Sequence, residues 1–176
     1  MHTQNKKPLT VKELALYAML GALMFCSKIV MEALPNIHLL GMFTMTYTVV
    51  FRKKALIPVY VYVLINGFYA GFAMWWIPYL YIWVILWGAT MLLPRNMTKK
   101  AKRIVYPAVC CLHGLLFGTL YAPAQALMTG LSFKAMVAWI IAGLPWDAIH
   151  GAGNLVAGFL ILPLSELLSK LADKYL

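Results

Sequence analysis

Six apolar runs follow one another along the chain, separated by short polar or proline-containing segments. A helix needs roughly 20 apolar residues to cross the hydrocarbon core of a bilayer, and no run alternates as a membrane β-strand does. We therefore predict an all-α integral membrane protein with six transmembrane helices in one compact bundle. The predicted spans are residues 10–33, 38–51, 55–74, 78–93, 104–128 and 145–168, within a single membrane domain covering residues 1–176.

Local signals predict where individual helices begin. Thr10 and Glu13 have the spacing of a capping box, in which each side chain bonds the other residue's backbone amide. Proline suits the first turn of a helix, so we expect Pro145 to open the sixth helix. The second run is short and can extend toward Leu34.

Composition supports the membrane assignment, and the distribution of charge orients the bundle. Apolar residues make up 63% of the chain and charged residues only 11%, whereas soluble domains carry about 25% charged residues. The net charge of +10 would suggest a nucleic-acid partner in a soluble protein, but here it follows the predicted connections. The positive-inside rule makes the basic side cytoplasmic, with both termini inside and no nucleic acid as partner. On that side lie Lys6, Lys7, Lys12, Arg52, Lys53, Lys54, Arg95, Lys99, Lys100, Lys102, Arg103, Lys170 and Lys174.

The most informative polar residues follow Pro145. Asp147, His150 and Asn154 are spaced i, i+3 and i+7, so a helix displays all three on one face. Ionisable residues within a span usually face a cavity or a partner. Two interpretations remain open: a local network in which Asp147 caps the helix and His150 bonds a backbone carbonyl, or contact with a ligand.

Aromatic and amide side chains mark the predicted outer connections, residues 31–38, 73–79 and 129–146, which are nearly free of charge. These aromatic residues form either an interfacial belt or the wall of a ligand site, where indole and phenol rings give contact area and a donor. The candidate residues are Asn36, His38, Trp75, Trp76, Tyr79 and Trp146.

Small residues form a stripe on the first helix. Ala18 and Ala22 are one turn apart, and Gly21 lies beside them. Such a stripe allows another helix to approach closely, either within the bundle or from an external partner.

Several motifs of catalysis are absent from the sequence. It contains no P-loop, no H-E-x-x-H and no G-x-S-x-G, so ATP hydrolysis and common hydrolytic chemistries have no basis. The three cysteines do not have the spacing of a zinc site, and we predict no metal site. A solute-handling protein that depends on an external energy source fits better than an enzyme.

These features together resemble the substrate-binding S-components of energy-coupling factor (ECF) transporters, which are bacterial importers of the ABC class. The resemblance rests on six short spans, the Ala18/Ala22 stripe and three outer motifs: Leu34-Pro35-Asn36-Ile37-His38-Leu39, Trp75-Trp76-x-x-Tyr79-Leu80-Tyr81 and Leu144-Pro145-Trp146-Asp147-x-x-His150-x-x-x-Asn154. The chain is similar from end to end to the S-components that take up cobalamin.

The resemblance implies a function, a location and partners. It implies a multi-pass protein of the bacterial plasma membrane that binds a vitamin, expected to be cobalamin, with high affinity and without a cofactor of its own. Ala18, Gly21 and Ala22 would dock on a shared transmembrane subunit that two ATPases drive. The outer motifs would bind the vitamin. The alternatives are an S-component for riboflavin, folate or a queuosine precursor, or an intramembrane enzyme that uses Asp147 and His150.

Overall fold

The computed structural model describes residues 8–176, so the predicted cytoplasmic residues Lys6 and Lys7 lie outside the described part. The described residues form α-helices and two 3₁₀ segments, with no β-strand, which confirms the all-α fold. The α-helices are α1 (Val11–Val30), α2 (Leu40–Phe51), α3 (Leu56–Ala70), α4 (Tyr79–Leu92), α5 (Lys99–Leu115), α6 (Phe117–Thr129), α7 (Phe133–Gly158) and α8 (Ile161–Tyr175). The 3₁₀ segments are Arg52–Ala55 and Met74–Trp76.

Within residues 8–176, three segments are long and apolar enough to cross a membrane: Val11–Val30, Met74–Leu92 and Lys99–Thr129, which contains α5 and α6. The pair α7–α8 is a fourth if it counts as one span bent by 49°. Helices α2 and α3 have only 12 and 15 residues, and at about 1.5 Å per residue neither alone crosses a core of roughly 30 Å. Several helices long and apolar enough to cross a membrane are consistent with a membrane protein, whereas six spans stay a prediction.

The short helix α2 lies at the centre of the bundle. Residues Leu40 and Tyr47 belong to one buried apolar cluster with α1, α3 and α4. Met42 and Met45 belong to a second cluster with α4, α5 and α8. Because α2 is surrounded by protein, it can be short and still have its backbone screened from lipid.

The start of α1 follows the sequence prediction. The Thr10 hydroxyl accepts a hydrogen bond from the Glu13 amide at 3.2 Å, and the Glu13 carboxylate accepts one from the Thr10 amide at 2.9 Å. Glu13 also forms an ion pair with Lys54, which joins the start of α1 to the connection between α2 and α3. The capping box is confirmed.

The prediction that Pro145 opens a helix is wrong. Helix α7 begins at Phe133, where the Ser132 hydroxyl accepts a hydrogen bond from the Ala135 amide, and Pro145 lies in its interior. A proline removes one backbone hydrogen bond, whereas ending the helix in an apolar setting would leave several backbone groups unpaired. Asp147 is therefore not in the first turn of its helix.

Glycines allow α5 and α7 to pack at very short range. A Cβ placed on Gly114 would lie 2.9 Å from the Gly151 backbone, and one on Gly158 would lie 2.6 Å from the Cα of Pro107. Backbones that approach this closely are typical of helix packing through small residues. His150 directly precedes Gly151, so this contact helps to fix the position of His150 in the bundle.

The bundle has two ends of opposite character. One end, which we call the basic end, contains the start of α1, the Arg52–Ala55 segment, the α4–α5 connection and the C-terminus of α8. The other, the aromatic end, contains the connections 31–39, 71–78 and 130–132. Ion pairs tie parts of the basic end together, including one of 2.9 Å between Lys99 and Glu166.

Candidate functional site

A buried group of aromatic rings surrounds the indole of Trp83 on α4. The ring centroids of its neighbours lie 5.7–6.2 Å from that of Trp83. His150 on α7 joins the group, with its ring 4.6 Å from that of His38 and 4.8 Å from that of Phe117. We call this group the histidine–aromatic cluster; its members are His38, Tyr62, Tyr79, Trp83, His113, Phe117 and His150.

Polar atoms of this cluster are buried without a hydrogen-bond partner among the described residues. They are His38 Nδ1, Tyr62 Oη, Trp83 Nε1, His113 Nδ1 and His150 Nε2. Each comes from a different part of the fold: the first connection, α3, α4, α5 and α7. Buried polar atoms in proteins are nearly always paired, so the convergence of five unpaired ones indicates a site for water or for a ligand.

His113 illustrates the chemistry that these atoms offer. Its Nε2 lies 3.3 Å from the carbonyl oxygen of Ile82, to which a neutral imidazole donates a hydrogen bond through that nitrogen. The other ring nitrogen is then an acceptor. Together with the N–H of Trp83 and the O–H of Tyr62, the cluster presents both donors and acceptors.

Further aromatic side chains continue the cluster toward the aromatic end. Tyr79 contacts Trp75 with ring centroids 5.6 Å apart, and Phe117 leads to Tyr121 at 6.3 Å. Tyr121 stacks on Trp139 at 6.0 Å and donates a hydrogen bond to the carbonyl of Trp75 at 3.3 Å. Trp75 and Tyr79 were predicted site residues, whereas Tyr121 and Trp139 were missed. We call Trp75, Tyr79, Tyr121 and Trp139 the aromatic wall.

Asn36 links the first connection to α7 at the aromatic end. Its backbone φ of 56° lies in the left-handed region, which asparagine tolerates better than most residues. Its side-chain amide donates a hydrogen bond of 3.4 Å to the carbonyl of Trp146. The indole of Trp146 is 53% exposed, so both residues lie at the edge of the site rather than within it.

Trp76 is separate from the site. Its indole N–H donates a hydrogen bond of 2.8 Å to the carbonyl of Val63 on α3, and its ring contacts Phe72. The side chain covers the end of α3 and has its donor paired, which is a packing role.

Asp147 holds the start of α6. Its two carboxylate oxygens accept hydrogen bonds from the Gly118 amide at 3.0 and 3.2 Å. The N-terminal amides of a helix lack partners within the helix and favour a negative charge. The interpretation that Asp147 caps its own helix is therefore wrong: Asp147 lies inside α7 and binds the first turn of α6.

Asn154 joins α7 to α5. Its side-chain amide donates a hydrogen bond of 3.2 Å to the carbonyl of Cys110, and its oxygen is buried without a partner. Asp147, His150 and Asn154 are all buried on α7, as their spacing predicted, yet only His150 belongs to the histidine–aromatic cluster.

The structure separates the three small residues of α1. Ala18 is exposed and Ala22 is half-buried. Gly21 is buried against α3, where an added Cβ would lie 2.5 Å from Val61 Cγ1. The two alanines are available to a partner, whereas Gly21 packs within the bundle.

A groove of about 610 Å³ lies beside the cluster, between the first connection and α7, with His38 in its lining. Its other lining residues are apolar. Within residues 8–176, no group of three or more His, Cys, Asp or Glu side chains is arranged to hold a metal ion.

The chain matches no protein-family model, no curated protein sequence and no solved structure. The functional argument therefore depends on the geometry of the histidine–aromatic cluster, the aromatic wall and the exposed face of α1.

Proposed function

We propose that this protein is the vitamin-binding S-component of an ECF-type ABC importer in a bacterial plasma membrane, and that its ligand is cobalamin. The observation that carries the proposal is the convergence of unpaired polar atoms from His38, Tyr62, Trp83, His113 and His150. Each unpaired buried group costs about 1–3 kcal/mol, and a ligand that bonds these five atoms would offset that cost.

The aromatic wall supports a large, flat ligand. Four aromatic side chains lead from the buried cluster toward the end of the bundle opposite the basic connections. A corrinoid has a flat macrocycle that can lie against aromatic rings, and amide groups that can bond both donors and acceptors. Neutral polar atoms suit such a ligand better than lysines would.

The exposed face of α1 supports a docking partner. Ala18 and Ala22 leave a shallow surface on a helix long enough to cross the membrane, and small residues let a partner helix approach closely. The partners in this proposal are the shared transmembrane subunit and, through it, two ATPases. The protein itself performs no chemical reaction.

The two alternatives differ in how well the geometry supports them. An S-component for riboflavin, folate or a queuosine precursor would use the same cluster and wall with a smaller ligand. An intramembrane enzyme with Asp147 and His150 as an acid–base pair has less support, since both Asp147 oxygens accept hydrogen bonds from Gly118.

Mass spectrometry of small molecules released from the purified protein tests the proposal. We expect a corrinoid at up to one molecule per chain, without ATP or any other subunit. Release of another vitamin would replace cobalamin and keep the S-component. A folded protein that carries no small molecule, and that binds none of the four candidate vitamins when they are added, would overturn the proposal.

A further inference from the structure

A polar pocket lies at the basic end, away from the histidine–aromatic cluster. It has a volume of about 300 Å³ and lies between the end of α2, the end of α4 and the first turns of α5. Three cationic side chains line it, those of Arg52, Arg95 and Lys102, together with Thr90, Tyr106 and four apolar residues.

Among the described residues, no carboxylate forms an ion pair with these three cations, although Glu166 interacts electrostatically with Lys102 at longer range. Three of the acidic residues form ion pairs with other lysines: Glu13 with Lys54, Glu32 with Lys28, and Glu166 with Lys99. The Asp147 carboxylate is bonded to the Gly118 amide. The last acidic residue, Asp173, lines a different pocket beside Lys54. All five acidic residues of the chain lie among the described residues, so the pocket has an excess of positive charge.

The backbone and side chain of Arg52 are held in place. Its φ of 54° lies in the left-handed region, which costs energy for a residue other than glycine. Its Nη2 donates a hydrogen bond of 3.0 Å to the Met91 carbonyl, and its own carbonyl accepts one of 3.0 Å from the Trp87 indole. The Arg52 Nε atom is buried without a hydrogen-bond partner among the described residues, so one donor of this fixed side chain is unpaired.

The two arginines are close enough to repel each other. Burial, followed by the positive charge of Arg95, lowers the pKa of Arg52 below its ordinary value. A bound anion would remove this repulsion and would pair the free Nε donor. Arginine guanidinium groups are well suited to phosphate because their donors match its oxygens.

We infer that this pocket binds a phosphate group, which an anionic phospholipid headgroup or a free phosphate can supply. Its apolar lining residues and the 86% exposed Leu92 beside it offer a surface for the acyl chains of a lipid. Basic pockets between helices at the cytoplasmic surface of a membrane are typical sites for anionic headgroups. The inference does not depend on the vitamin proposal.

Native mass spectrometry of the full chain with defined lipids tests the inference. The chain is purified in detergent and mixed with phosphatidylglycerol or with phosphatidylcholine. The test variant is Arg95→Gln with Lys102→Gln, which leaves Arg52 and its backbone contacts intact. The control variant is Lys53→Gln with Lys100→Gln, which removes the same charge from the same end but outside the pocket.

We expect the wild type and the control to retain phosphatidylglycerol at least tenfold more tightly than phosphatidylcholine, and the test variant to lose this preference. Displacement of the lipid by millimolar inorganic phosphate would identify free phosphate as a competing occupant. Its failure to displace the lipid would identify the headgroup with its chains as the ligand. Two results would overturn the inference. One is an equal loss of phosphatidylglycerol binding in the test and control variants. The other is a wild type that neither prefers phosphatidylglycerol to phosphatidylcholine nor binds inorganic phosphate.

Discussion

Buried aromatic side chains of this protein differ in whether their polar atoms have hydrogen-bond partners. Tyr47 and His150 are both buried aromatic residues, but the Tyr47 hydroxyl donates a hydrogen bond of 3.1 Å to the Leu20 carbonyl, whereas His150 Nε2 has no partner among the described residues. A buried polar atom that is paired stabilises the fold by about 1 kcal/mol, and an unpaired one costs about 1–3 kcal/mol. Residues that serve binding can therefore reduce stability in the ligand-free protein.

This difference predicts stability changes of opposite sign. His150→Phe keeps a ring against His38 and Phe117 and removes the unpaired Nε2 atom, so we expect the ligand-free protein to gain about 1–3 kcal/mol. Tyr47→Phe removes a hydrogen bond that is made and should lose about 0.5–1.5 kcal/mol. Thermal unfolding of both variants in one detergent measures the effect, and a loss of stability in His150→Phe would show that its nitrogen has a structural partner.

We expect the Asp147 carboxylate to stabilise the folded protein. Asp147→Ala leaves the Gly118 amide unpaired at the start of α6, and we expect a loss of about 1.5–3 kcal/mol, the range for hydrogen bonds to charged groups. Asp173→Ala, in the last helix, is the matched control and should change little. The apparent melting temperature measures both. If Asp147→Ala unfolds at the wild-type temperature, its hydrogen bonds to Gly118 contribute nothing to stability.

The sequence predicted part of the site at the level of residues. The spacing of Asp147, His150 and Asn154 predicted one shared face, because helix geometry alone determines it. Their partners on α6, the cluster and α5 could not be predicted, since those contacts depend on which helices are neighbours. His113 was missed although an ionisable residue inside an apolar run is itself a signal of a cavity or a partner.

At the scale of the helices, hydropathy predicted the order of the elements better than their ends. Pro145 was expected to begin a helix and instead lies within α7, as Pro107 lies within α5 and Pro123 within α6. In an apolar environment the helix continues through a proline because only one backbone bond is lost. The short length of α2 reflects its position at the centre of the bundle, which a hydropathy pattern does not report.

Close packing between α5 and α7 predicts that replacing a glycine at their contact destabilises the protein. Gly114→Ala would place a Cβ 2.9 Å from the backbone of Gly151, so the two helices must separate, and we expect a loss of about 1–3 kcal/mol from overpacking. Gly88→Ala, with no atom within 4 Å of the new Cβ, should be neutral or stabilising by up to about 1 kcal/mol. Thermal unfolding distinguishes the two, and equal stability of the variants would contradict the close packing.

The exposed face of α1 gives a prediction about coupling. Ala18→Trp should leave vitamin binding unchanged and abolish uptake by the assembled transporter, because the indole would prevent a partner helix from approaching. Leu23→Trp, on another exposed side of the same helix, is the control and should retain uptake. Uptake of labelled vitamin by cells and binding by the purified chain are the two measurements. Weakened binding in Ala18→Trp would instead place this face in the packing of the ligand site.

At the scale of the whole molecule, charge and polarity are separated along the bundle. The Arg52–Ala55 segment and the α4–α5 connection carry basic residues at one end, and the aromatic wall lies toward the other. The basic residues behind the net charge of +10 carry two proposals: a cytoplasmic location of the basic end, and a phosphate site formed by Arg52, Arg95 and Lys102. No lysine or arginine belongs to the histidine–aromatic cluster or to the aromatic wall.

The most direct test of the central claim is a calorimetric titration of the purified chain with cobalamin in detergent, without ATP. The account predicts saturable binding of one cobalamin per chain in the wild type and in Tyr47→Phe, and affinity at least tenfold weaker in His150→Phe, since about 1.4 kcal/mol corresponds to a factor of ten. Folded wild-type protein that binds no cobalamin, or His150→Phe that binds it as tightly as the wild type, would contradict the account.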